Sequence, residues 1–89
     1  MTDDPRAVLE LIRETLEEGL PREFRMGTGI LADIDDCSSS LMFSAPEMAG
    51  THLGLLDEAL EPVLADRECP DDVATRGRVL RALLPPARP

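Results

Sequence analysis

Apolar residues recur at helical spacing in three stretches of this chain, separated by segments rich in glycine, proline and acids. In the first stretch Val8, Leu11, Ile12, Thr15 and Leu16 share one side of a helix, and Glu10, Glu14, Glu17 and Glu18 take the wetter side. Asp4 is placed to cap this helix and Pro5 suits its first turn, where a missing N–H costs nothing. Gly19 followed by Pro21 supplies the stop, so the pattern predicts a helix over 5–18.

The second stretch opens at Ser44-Ala45-Pro46-Glu47, which has the form of a capping box. It predicts a helix from about residue 45 with Met48, His52 or Leu53, Leu56, Leu60 and Leu64 inward and Asp57, Glu58 and Glu61 outward. Pro62 is expected to kink or end it near Glu61, and Gly50 and Gly54 weaken it by up to ~1 kcal/mol each relative to alanine. In the third stretch Asp71 or Asp72 is the expected cap, and Val73, Gly77, Leu80, Leu83 and Leu84 line one side. That predicts a helix over 72–84, stopped by Pro85-Pro86, with Arg76, Arg78 and Arg81 toward its C-terminal half, where cations complement the helix dipole.

From Leu20 to Phe43 neither the helical nor the strand period is sustained, and Gly27-Thr28-Gly29 asks for backbone freedom that a helix interior penalises. The expectation here is a long loop, ordered by Ile30, Leu31, Ile34, Leu41 and Phe43 packing inward, with a short turn near 30–34. Composition supports helices throughout. With two Phe and no Trp or Tyr, the core must be built from Leu, Ile, Val, Met and Ala. The 89 residues make one domain, 1–89, without repeat or linker. The expected fold is all-α: a small three- to four-helix bundle with a long loop between the first and second main helices.

Charge narrows the partners. Eighteen acids oppose nine bases, all arginine, for a net charge of −9. A negative field of this size repels phosphate, so nucleic acid and anionic membrane are not expected partners, and basic surfaces of other proteins are. All the acids lie within residues 1–72, whereas Arg76, Arg78, Arg81 and Arg88 make the tail basic. No apolar run approaches the ~20 residues of a membrane span, and Met1-Thr2-Asp3-Asp4 lacks the basic start of a signal peptide. A cytoplasmic protein is expected, with Cys37 and Cys69 reduced.

Candidate chemistry gathers at Asp33-Ile34-Asp35-Asp36-Cys37-Ser38-Ser39-Ser40-Leu41, where acids run into three serines. The plain reading is that such residues satisfy turn backbones and cap helices. A calcium loop is the next: Asp36, Ser38, Ser40 and Glu47 hold the first, third, fifth and twelfth places of an EF-hand-like segment, but Leu41 stands where glycine is required. Cys37, Cys69 and His52 are possible zinc or copper ligands without the paired spacing of such sites. Cys37 beside His52 is a candidate nucleophile whose acidic neighbours raise the thiol pKa. One histidine, no lysine and no glycine-rich phosphate loop leave little from which to assemble an enzyme, so no catalytic residue is assigned.

The layout resembles the acyl and peptidyl carrier proteins: a small acidic helical domain, a long segment after helix one, serines near a second helix and a short C-terminal helix. In that family a serine of an Asp-Ser-Leu motif receives a phosphopantetheine arm, and the acidic second helix docks basic faces of biosynthetic enzymes. The resemblance implies Ser38, Ser39 or Ser40 as the attachment residue, with Ser39 standing where the family has Asp before Ser40-Leu41. It implies Asp57, Glu58 and Glu61 as the partner-binding acids. A second register, set by Ala59-Leu60-Glu61, puts Gly50 at the attachment position instead. The alternative is a non-catalytic acidic helical module for protein–protein interaction or regulation, with or without a carrier-like fold.

Overall fold

The computed structural model describes residues 4–43 and 46–84, excluding the side chains of Pro46, Glu47 and Ala49. These residues form an all-helical bundle of five helices: α1 Pro5–Gly19, α2 Arg22–Thr28, α3 Ile30–Phe43, α4 Pro46–Ala65 and α5 Asp71–Ala82. The first begins as its sequence implies. The Asp4 side chain accepts from the Arg6 N–H at 3.0 Å, Pro5 occupies the first turn, and the Leu20 N–H returns to the Leu16 carbonyl at 3.0 Å. Its buried stripe is Val8, Leu9, Ile12, Thr15 and Leu16, centred so that Leu9 enters the core and Leu11 is left exposed.

The segment 20–43, expected as a loop, is two helices. Pro21 precedes α2, and Gly29, at φ 66°, ends it in the left-handed conformation that glycine adopts without penalty. Thr28 makes the joint. Its hydroxyl donates to the Arg25 carbonyl at 2.9 Å and accepts from the Ile30 N–H at 3.2 Å, so one side chain closes α2 and opens α3. Helix α3 then buries Ile30, Ile34 and Cys37, with Leu41 packed against the core at the next helical position.

Helix α4 runs through Pro62 to Ala65. Pro62 is exposed, whereas Val63 and Leu64 beyond it are buried, and their packing holds the last turn against the lost backbone hydrogen bond. Leu53, Leu56 and Leu60 fill the inward stripe, while Met48, expected inside, is 49% exposed. The capping box expected at Ser44-Ala45-Pro46-Glu47 lies outside the described residues and side chains, as do Pro85-Pro86 and Arg88. Neither Asp71 nor Asp72 caps α5 through its side chain; Pro70 precedes the helix and both acids sit in its first turn, where the helix dipole favours them. Val73, Ala74, Gly77 and Leu80 are its buried residues, and Leu83 is exposed.

One continuous core joins the helices, with Leu9, Ile12, Leu16, Ile30, Ile34 and Leu60 at its centre. Helix α1 packs against α3 and α5, and α4 closes the bundle against the same two helices. The α1–α5 and α4–α5 contacts are tight because glycine allows them. A Cβ added at Gly19 would stand 2.3 Å from Val73 Cγ2, and one at Gly77 would stand 2.6 Å from Leu64 Cδ2. Among the described residues no helix is long and apolar enough to cross a membrane.

Candidate protein-interaction groove

The register of α3 determines what its polar residues can do. Ile34 and Cys37 point into the core, so the helix exposes two flanks: Asp33 and Asp36 border α4, with buried Cys37 beneath them, and Asp35, Ser38 and Met42 border α1. The acidic and serine residues that are consecutive in sequence are thereby split between opposite sides. An EF-hand-like loop is not formed, because Asp36 to Phe43 is helical and Asp36 and Ser38 face different cavities.

On the α1 side an open cavity of about 580 Å³ is bordered by Arg6, Glu10, Arg13, Asp35, Ser38 and Met42. Its principal charges neutralise each other. Arg13 Nε donates to Asp35 Oδ1 at 2.9 Å and Nη1 to Glu17 Oε1 at 3.1 Å, and the bond to Asp35 raises the guanidinium pKa further above its ordinary range. Ser38 and Ser40 are half-buried and Ser39 is exposed, so the three expected attachment residues lie in the C-terminal half of a helix with unequal access.

On the α4 side Asp33, Asp36 and Cys37 face His52, Leu55, Leu56 and Ala59 across a groove of about 280 Å³. The floor is apolar and α3 contributes an acidic rim. Among the described residues no arginine comes within ion-pair distance of Asp33 or Asp36, although Asp35 on the other flank is paired. His52 Nδ1 is buried in the wall without a hydrogen-bond partner among the described residues, a deficit of the kind that costs about 1–3 kcal/mol. Cys37 is 3% exposed, and burial pushes its thiol pKa up, which keeps it protonated and a poor nucleophile.

The structure brings Cys37 and His52 to one groove but leaves Cys69 in the turn before α5, where its thiol lies 3.7 Å from the Pro70 carbonyl and burial also raises its pKa. Both cysteines are free, and among the described residues no group of three or more His, Cys, Asp or Glu side chains is placed to hold a metal ion.

The three acids expected to meet a partner are also separated. Asp57 and Glu61 turn toward α5, where Arg81 donates from Nε and Nη2 to the Asp57 carboxylate at 2.7 and 3.2 Å and from Nη1 to Glu61. Bonding to Arg81 lowers the Asp57 pKa and raises that of the guanidinium. Glu58 alone of the three is exposed and without an ion pair among the described residues. The groove acids Asp33 and Asp36 were within reach of sequence reasoning: Ile30, Ile34, Cys37 and Leu41 sit at i, i+4, i+7 and i+11, a helical period that places both acids on one edge. No family model, no curated protein and no solved structure matches this chain.

Proposed function

We propose that this chain is a non-catalytic acidic interaction module that docks a basic partner protein. The observation that carries this reading is the surplus of uncompensated carboxylate. Five acids pair with arginine among the described residues, Asp4, Glu17, Asp35, Asp57 and Glu61, in a chain whose net charge is −9. Clustered like charge destabilises the compact state by self-repulsion, and a cationic partner relieves it while gaining in association rate. The buried, protonated Cys37 thiol beside His52 adds support for a binding role over a catalytic one. Calorimetric titration with cationic, neutral and acidic helical peptides tests the reading. Saturable binding of the cationic set, weakening with salt, is expected; equal or absent binding across the three sets refutes it.

A carrier role is a second reading, favoured by the exposure of Ser39 on α3. Of the three serines, Ser39 is the most exposed and is the one this reading favours for attachment. Intact mass after incubation with coenzyme A and a promiscuous phosphopantetheinyl transferase decides it: one added phosphopantetheine, lost in Ser39→Ala, is the outcome this reading requires, and an unchanged wild-type mass removes it.

A further inference from the structure

The acids of α3 and α4 divide by what they face. Asp35 is neutralised by Arg13 of α1, and Asp57 and Glu61 by Arg81 of α5. Asp33 and Asp36 stand over the α3–α4 groove without an ion pair among the described residues. The unpaired acids of α3 therefore coincide with an apolar cleft, while Glu58 of α4, also without an ion pair among the described residues, lies outside its lining.

That cleft is part of a longer apolar strip. On α4, Met48, His52, Leu55 and Ala59 follow one another at i, i+4, i+7 and i+11, a single face about 16 Å long at 1.5 Å per residue. Met48 is 49% exposed and Leu55 58%, values that the core has no use for. On α3, Phe43 lies seven residues beyond Asp36 and hence on the same edge, and it is 82% exposed. Exposed apolar side chains aligned in a row, beside carboxylates without an ion pair among the described residues, mark a surface made to be covered.

From this arrangement we infer that the α3–α4 groove receives an amphipathic helix of a partner protein, whose apolar stripe lies along Leu55 and Met48 and whose arginine or lysine side chains pair with Asp33 and Asp36. The inference rests on the interaction-module reading and assigns it a surface and a partner class. The volume, about 280 Å³, lies just below the range of ~300–1,000 Å³ usual for small-molecule pockets and suits one or two bulky anchoring side chains. Helices dock in such grooves through anchors at i, i+3 or i+4 and i+7, the spacing that α4 itself presents. A second copy of this chain is disfavoured as occupant, because it brings the same acids and a net charge of −9 to an already acidic rim.

The test is selection of a displayed random library of helical peptides on the folded protein, followed by affinity measurement of the enriched sequences. The expected winners carry a large apolar stripe flanked by arginine or lysine. Asp33→Asn with Asp36→Asn should weaken them by about tenfold or more, as should Leu55→Asp, each variant being checked for an unchanged circular dichroism spectrum. Glu14→Gln with Glu18→Gln, the same change in net charge on α1, should alter affinity less than about twofold. Cationic winners that bind the groove variants as tightly as wild type overturn the groove and leave the interaction module standing. Winners without basic residues, or none, overturn both, and concentration-dependent dimerisation abolished by Leu55→Asp assigns the groove to a second copy.

Discussion

Replacing Ser39 by proline tests the least expected element of the fold with little interference from packing, because Ser39 is exposed on α3. As part of a loop, residue 39 would accept proline at small cost wherever φ permits. Inside α3 the substitution removes the backbone bond to the Asp35 carbonyl and drives the ring against that same oxygen, a loss of about 3 kcal/mol. Ser39→Ala provides the reference, since it keeps the N–H and gains ~0.5 kcal/mol of helix propensity. For a domain of this size each kcal/mol moves the melting temperature by roughly 4–8 °C, so the proline variant should melt about 12–24 °C below the alanine variant. Thermal melts followed by circular dichroism, repeated in urea, measure the difference. Melting temperatures for the two variants within ~4 °C of each other would show that α3 is not formed as described.

The two tight glycine contacts should respond unequally. Gly19→Ala meets the stiff, β-branched Val73 at 2.3 Å and should lower the urea midpoint, the clash of about 1–3 kcal/mol outweighing a propensity gain of up to ~1 kcal/mol; Gly77→Ala meets the movable end of Leu64 at 2.6 Å and should cost less. A larger loss at Gly77 would reverse the assignment. Asp57, held below its ordinary pKa by Arg81, binds fewer protons folded than unfolded, so its contribution is present above the unfolded value of about 3.9 and is lost as pH falls through the lowered folded one. Stability curves of wild type and Arg81→Met should therefore converge below that window and differ by no more than ~1 kcal/mol above it, the pair being partly solvent-exposed; parallel curves would contradict this. Cys37 and Cys69, both buried, should react with a thiol reagent only as the protein opens, and a prompt stoichiometric reaction of the native state would contradict their burial.

The parts of the fold that are legible in the sequence are those where pattern and punctuation agree. Asp4-Pro5, a clean apolar stripe and Gly19 delimit α1 to within a residue. Helices α2 and α3 escape notice because each local signal is ambiguous. Gly27-Thr28-Gly29 has the composition of a loop, yet only Gly29 needs glycine's conformation, and Thr28 turns the remainder into a helix-to-helix joint. In α3 the apolar period passes through Cys37, whose reactivity suggests chemistry when its burial makes it a core residue. Pro62 misleads in the opposite direction, because the burial of Val63 and Leu64 outweighs its missing N–H. At the candidate site, Asp57, Glu58 and Glu61 read alike along α4, but only the packing of α5 reveals that Arg81 occupies two of them. The groove needs two helices in register, and with α3 expected as a loop its acidic rim had no position.

Backbone amide shift mapping of the isotopically labelled protein against one cationic amphipathic helical peptide tests the groove most directly. Saturable shifts should concentrate at Asp33, Asp36, Cys37, His52 and Leu55, with α1 residues Glu14 and Glu18 unmoved. Shifts spread evenly over the acidic surface, or centred on Glu58 with the α3–α4 groove silent, would contradict it.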